Sequence, residues 1–118
     1  MPIIYLRDGR HFEVEEGARL LSSLIKNDVD ILHRCGGFAR CTTCRVEFDA
    51  GEPLKMTEAE KDKLAASNLE GVRLSCQILC ETDMTLHPVY SLAHSGLADA
   101  GPTPSDEITP EAVWTTKD

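Results

Sequence analysis

Apolar and polar residues alternate at the start of the chain. Residues 3–6 (Ile-Ile-Tyr-Leu) and 11–14 (His-Phe-Glu-Val) flank Asp8-Gly9, a dipeptide suited to a tight turn, and together predict a β-hairpin. The period then lengthens. Over residues 18–27, Leu20, Leu21, Leu24 and Ile25 share one helical face, while Arg19, Ser22, Ser23 and Lys26 share the other. Residues 31–44 read as a loop carrying Gly36-Gly37. Val46 and Phe48 alternate with Arg45, Glu47 and Asp49, predicting a strand that ends at Ala50-Gly51-Glu52-Pro53.

Thr57 suits a helix N-cap, with Glu58 and Glu60 in the first turn and Glu60 at capping-box spacing. This helix is expected to reach Ala66 and stop before Ser67-Asn68. Residues 72–78 are expected to be extended, and 84–87 form a last strand closed by Pro88. The order of elements places the chain in the α+β class, a sheet with a helix across it. Regular structure is expected to end near His94. A folded domain is therefore assigned to residues 1–93, and residues 94–118, acidic with Pro102, Pro104 and Pro110, to a flexible tail. Trp114 stands out there as a residue that could clip the tail to the domain or anchor a partner.

At 118 residues the chain fits one domain with a modest core. Its 20 acidic and 12 basic residues, net charge −8, disfavour nucleic acid and anionic membranes and favour basic protein partners. No signal peptide is visible and no apolar run approaches membrane-spanning length, so a cytoplasmic location is expected.

The chemistry lies in the cysteines. Five residues separate Cys35 from Cys41, two separate Cys41 from Cys44, and thirty-one precede Cys76. Three thiols in one loop and a fourth returning from afar suit a [2Fe–2S] cluster, since each iron needs two soft thiolate donors. Gly36 and Gly37 let backbone N–H groups approach such a centre, and Thr42 and Thr43 could add hydroxyl donors. A four-thiolate zinc site from Cys41, Cys44, Cys76 and Cys80 is the chief rival, but it leaves Cys35 and the two glycines without a role. A thioredoxin-like Cys41/Cys44 pair would open a helix, whereas a strand pattern follows. The four histidines are scattered and form no Rieske ligand pair; His33 lies near Cys35 as a loop residue or a hydrogen-bond donor. Cys80 is read as a spare, buried thiol.

At these residues the chain resembles the [2Fe–2S] ferredoxins of the adrenodoxin-like and bacterial cluster-assembly type. The stretch Cys35-Gly-Gly-Phe-Ala-Arg-Cys41-Thr-Thr-Cys44 matches the family loop, Arg73-Leu-Ser-Cys76-Gln77 the segment bearing its fourth ligand, and Met84-Thr-Leu-His-Pro88 its closing strand. The resemblance implies a β-grasp fold, a one-electron carrier with no catalytic residues of its own, and partners comprising a ferredoxin reductase and an acceptor with a basic docking surface. A redox sensor and a permanent subunit of a larger oxidoreductase are the alternatives. Two departures stand out. Arg45 replaces the usual histidine after the third ligand, which with Arg34 and Arg40 puts three guanidinium groups around the loop. They would either raise the potential or pair with surface carboxylates. The partner-docking helix offers Glu58, Glu60 and Asp62, diluted by Lys61 and Lys63.

Overall fold

In the computed structural model, residues 1–33, 43–89, 101, 104–108 and 112–116 are described. The Asp8-Gly9 turn closes as expected. Gly9, at φ +95°, donates to the Leu6 carbonyl, and strands β1 (Ile3–Leu6) and β2 (His11–Glu13) pair antiparallel across it.

The first helical pattern resolves into two elements. Ala18–Arg19 forms a short strand, β3, and the helix α1 begins only at Leu20 and runs Leu20–Lys26. The backbone here is claimed from afar: Gly17 N–H donates to the Cys80 carbonyl at 2.7 Å and Leu20 N–H to the Ile78 carbonyl at 2.8 Å. Asp28, in the left-handed region at φ +59°, ends α1; its own N–H reaches Ile25 and that of Val29 reaches Leu24, satisfying carbonyls of the last turn.

Strand β4 (Arg45–Ala50) follows, then β5 (Lys55–Thr57) and α2 (Glu58–Ala66). Thr57 caps α2 as expected, its Oγ1 accepting from Glu60 N–H at 3.1 Å. The Glu60 side chain does not complete a capping box; it turns to Arg73. Gly51, at φ +74°, sits where a Cβ would collide with the Asp83 carbonyl, so the chain after β4 passes the start of the last long strand too closely for any side chain.

Residues 72–78 depart from the expected extended run. Only β6 (Arg73–Leu74) is strand; Ser75–Gln77 is a 3-10 turn, followed by β7 (Leu79–Cys80) and then β8 (Met84–Pro88). Ser75 breaks the strand, because its N–H and Oγ both donate to the Cys44 carbonyl, at 3.2 and 2.8 Å.

The main sheet has the order β2-β1-β8-β4-β6, with β1 and β8 parallel and the other pairs antiparallel; β3 and β7 form a separate two-stranded pair. Leu20, Leu21 and Leu24 of α1 join Ile4, Val46, Leu74, Met84 and Leu86 in one buried core. No helix among the described residues is long and apolar enough to cross a membrane.

One sequence expectation needs correction. The C-terminal residues are not a flexible tail throughout: Trp114–Thr116 is a strand, β9, paired antiparallel with β5, and Pro104 is buried. Tryptophan and threonine favour strands, and β5 presents unpaired backbone groups to which β9 bonds. Trp114 lies opposite Thr57, with Lys55 Nζ 4.3 Å from its ring centroid. The polar face of α1 is divided, with Lys26 exposed and the rest covered. Arg19, Ser22 and Ser23 are buried, and the Ser105 carbonyl accepts from both Arg19 and Ser22.

Candidate metal centre

Cys44 ends the described part of the loop and leads directly into β4. Its carbonyl holds the Ser75 hydroxyl and N–H, while the next residues along, Arg45 and Leu74, pair as strand partners. The turn bearing Cys76 is thereby fastened to the backbone of Cys44, thirty-one residues earlier in the chain. Both thiols are buried and neither is in a disulfide. Cys35 and Cys41, with Arg34, Gly36, Gly37, Arg40 and Thr42, lie outside the described residues. Two soft, buried thiols, one just before β4 and one in the 3-10 turn fastened to its backbone, are the donor type that half of a four-thiolate iron site needs.

The polar surroundings of Cys76 form a chain of hydrogen bonds. Thr57 Oγ1 donates to Gln77 Oε1 at 2.7 Å, which orients the amide so that Gln77 Nε2 donates to Cys76 Sγ at 3.6 Å. Donors aimed at a ligand sulfur favour the more negative, reduced form of an iron–sulfur centre. On the backbone side, Arg19 Nε donates to the Cys76 carbonyl at 2.8 Å.

Beneath the same turn lies a buried ion pair. Glu60 and Arg73 are 0% and 2% exposed. Arg73 Nε and Nη2 fork onto Glu60 at 2.8 and 3.0 Å, and Leu74 N–H donates to Glu60 Oε2 at 2.8 Å. Arg73 also donates to the Pro53 and Lys55 carbonyls. Burial pushes the Glu60 carboxyl up, opposed by the Arg73 guanidinium and the Leu74 N–H. The pair ties α2 to β5 and β6. It also corrects the docking-helix expectation, since only Glu58 and Asp62 of the three acids face solvent. Arg45 is half-buried on β4, and His33 Nδ1 lies 3.0 Å from the Ile31 carbonyl.

Cys80 is buried on β7, opposite Ala18. Burial pushes its thiol up from about 9 to about 11, against a lowering hydrogen bond from Ser23. At pH 8 about one molecule in a thousand then carries the thiolate, the reactive form. Native protein treated with iodoacetamide at pH 8 is expected to leave Cys80 unmodified by peptide mass spectrometry, and unfolded protein to label it fully. Rapid labelling in the native state would contradict the burial.

Arg19, Gln77 and the Glu60–Arg73 pair were not found as site residues from the sequence. Arg19 sat on the polar side of a helical wheel, and Glu60 at the third helical position read as part of a cap. Only Arg73, an isolated charge between Val72 and Leu74, signalled a buried partner.

The 2Fe-2S iron-sulfur cluster binding domain family matches residues 4–81. Among solved structures, the chain is similar to the ISC-like [2Fe-2S] ferredoxin from Pseudomonas putida JCM 20004, at 28% identity and TM-score 0.63, covering 80% of this chain and 99% of that one. It is also similar to a reduced cysteine-to-serine variant of putidaredoxin from Pseudomonas putida, at 26% identity and TM-score 0.53, covering 75% and 96%. Among curated proteins it is 41% identical over 76 residues to a subunit of the Na(+)-translocating NADH-quinone reductase of Chlamydia pneumoniae, covering 62% of this chain. The chain spans only 17% of that relative's length. The fastened cysteine turn, the mixed sheet under α1 and these matches converge: the chain belongs to the 2Fe-2S iron-sulfur cluster binding domain family as a ferredoxin of the adrenodoxin-like type, a β-grasp electron carrier whose cofactor is a [2Fe–2S] cluster.

Proposed function

We propose that the chain shuttles single electrons from a reductase to an acceptor protein, with Cys35, Cys41, Cys44 and Cys76 holding the cluster. The observation that carries this reading is the double hydrogen bond from Ser75 to the Cys44 carbonyl, which keeps the third and fourth thiols on neighbouring backbone. The bound cluster supplies a one-electron acceptor and donor. The protein's part is to present it. Gln77 donates to the fourth sulfur, the core excludes water beneath it, and no substrate bond has to be made or broken.

A reductase as donor is supported by the likeness to putidaredoxin in the covalent putidaredoxin reductase–putidaredoxin complex, at 27% identity and TM-score 0.51. The acceptor is read as a protein with a basic docking surface, met by the exposed Glu58 and Asp62 on α2 and by the net charge of −8. A second reading, an electron-transfer subunit held permanently within a larger oxidoreductase, is favoured by the much longer quinone reductase relatives. Stable co-purification with a partner would support it over the shuttle.

The test is a spectrum of anaerobically purified protein before and after dithionite, with iron and acid-labile sulfide assays. About two irons and two sulfides per chain, and visible bands that bleach on uptake of one electron, are expected. A colourless protein carrying zinc would overturn the proposal.

A further inference from the structure

Arg19 and Arg73 are the largest fully buried side chains among the described residues. Arg73 answers to the Glu60 carboxylate. Arg19, 1% exposed, has a different geometry: Nε donates to the Cys76 carbonyl at 2.8 Å and Nη1 to the Ser105 carbonyl at 2.7 Å. One guanidinium thus bridges residues 57 and 86 positions away along the chain. The Ser105 segment is seated by further contacts. Ser22 Oγ donates to the same carbonyl at 3.0 Å, Pro104 is buried, and Asp106 Oδ1 pairs with Lys26 Nζ at 2.9 Å.

We propose that Arg19 is a positioning residue that couples the C-terminal segment 104–106 to the redox centre, so that seating of the segment and reduction of the cluster favour one another. This rests on Cys76 being a cluster ligand. The guanidinium keeps its charge at every accessible pH. Reduction by the reductase adds one electron, and one negative charge, to the centre. A fixed positive charge on the backbone of its fourth ligand stabilises that state. The strength depends on the medium: with segment 104–106 seated, Arg19 is shielded from water and its field is less screened. By thermodynamic reciprocity, the factor by which the seated segment favours reduction is the factor by which reduction favours seating.

The test uses the full chain with its cluster verified by spectrum. Arg19→Gln is expected to shift the reduced-to-oxidised ratio at fixed poise about tenfold toward oxidised, a midpoint about 59 mV lower for one electron. Arg19→Lys keeps the charge without the fork and is expected to fall between. In the unaltered protein, the backbone amides of residues 105–108 are expected to exchange with deuterium about tenfold more slowly in the reduced state than in the oxidised. An Arg19→Gln protein with an intact cluster and an unmoved midpoint overturns the inference. Should that variant lose its cluster, the exchange measurement decides, and equal protection in the two states overturns it. An unaltered protein devoid of iron and sulfide overturns the ligand reading itself, and this inference with it.

Discussion

Cys76→Ser is expected to abolish the visible absorbance of the purified protein, and Cys80→Ser to leave it intact. The two thiols are four residues apart and equally buried, so burial alone does not distinguish them. Their surroundings do. Cys76 sits in a 3-10 turn fastened to Cys44, with Gln77 Nε2 directed at its sulfur, an arrangement that favours a thiolate. Cys80 lies in a strand against Ala18, where burial raises its pKa to about 11 and holds it protonated. A metal ligand must be deprotonated, and only the first environment assists that. Absorbance spectra and iron content of the two variants, purified side by side, check the assignment. A colourless Cys80→Ser protein would mean that the fourth ligand is misassigned.

Glu60→Ala is expected to destabilise the fold by about 3–5 kcal/mol, the usual cost of removing one partner from a buried ion pair. The variant leaves the Arg73 guanidinium in the interior, with the Pro53 and Lys55 carbonyls as acceptors and Glu52 at 3.5 Å as the remaining carboxylate. It also strands the Leu74 N–H, one residue before the Ser75–Cys44 fastening. A melting temperature lower by more than about 10 °C is expected for a domain of this size. The exposed Arg7–Asp49 pair serves as the contrast. Its geometry is as good, 2.8 Å, but the side chains are 45% and 40% exposed, and Asp49→Asn should barely move the melting temperature. Calorimetry on both variants checks this; equal effects would mean that burial of Glu60 is not what gives the pair its weight.

Much of the frame was legible along the chain. Asp8-Gly9 marked the hairpin, because the required left-handed turn is a property of adjacent residues. Thr57 marked the start of α2, since a cap is satisfied three residues away by Glu60 N–H. The apolar face of α1 and the alternation in β4 specified which side chains enter the core, and the cysteine spacing pointed to the cluster and the family. Other features had no trace at that range. The pattern placed Arg19, Ser22 and Ser23 on the polar face of α1 with no sign that all three are buried, Arg19 and Ser22 donating to the Ser105 carbonyl. Glu60 was read as a surface acid near a docking site, yet it is the counter-charge of Arg73. Trp114–Thr116 lay in a segment whose composition argued against structure, yet it adds a strand to β5.

The chain's own pattern therefore determined the first hairpin, the apolar face of α1, strands β4 and β8 and the cap of α2, all of which depend on neighbours within one or two turns. Folding in three dimensions decided what surrounds the Cys76 thiol: Arg19 on its carbonyl, Gln77 on its sulfur, and the Ser105 carbonyl on the Arg19 guanidinium. Those contacts join positions tens of residues apart, where neither helical nor strand periodicity relates one residue to another. A buried guanidinium or carboxylate looks the same in sequence as an exposed one until the opposing chain is in place.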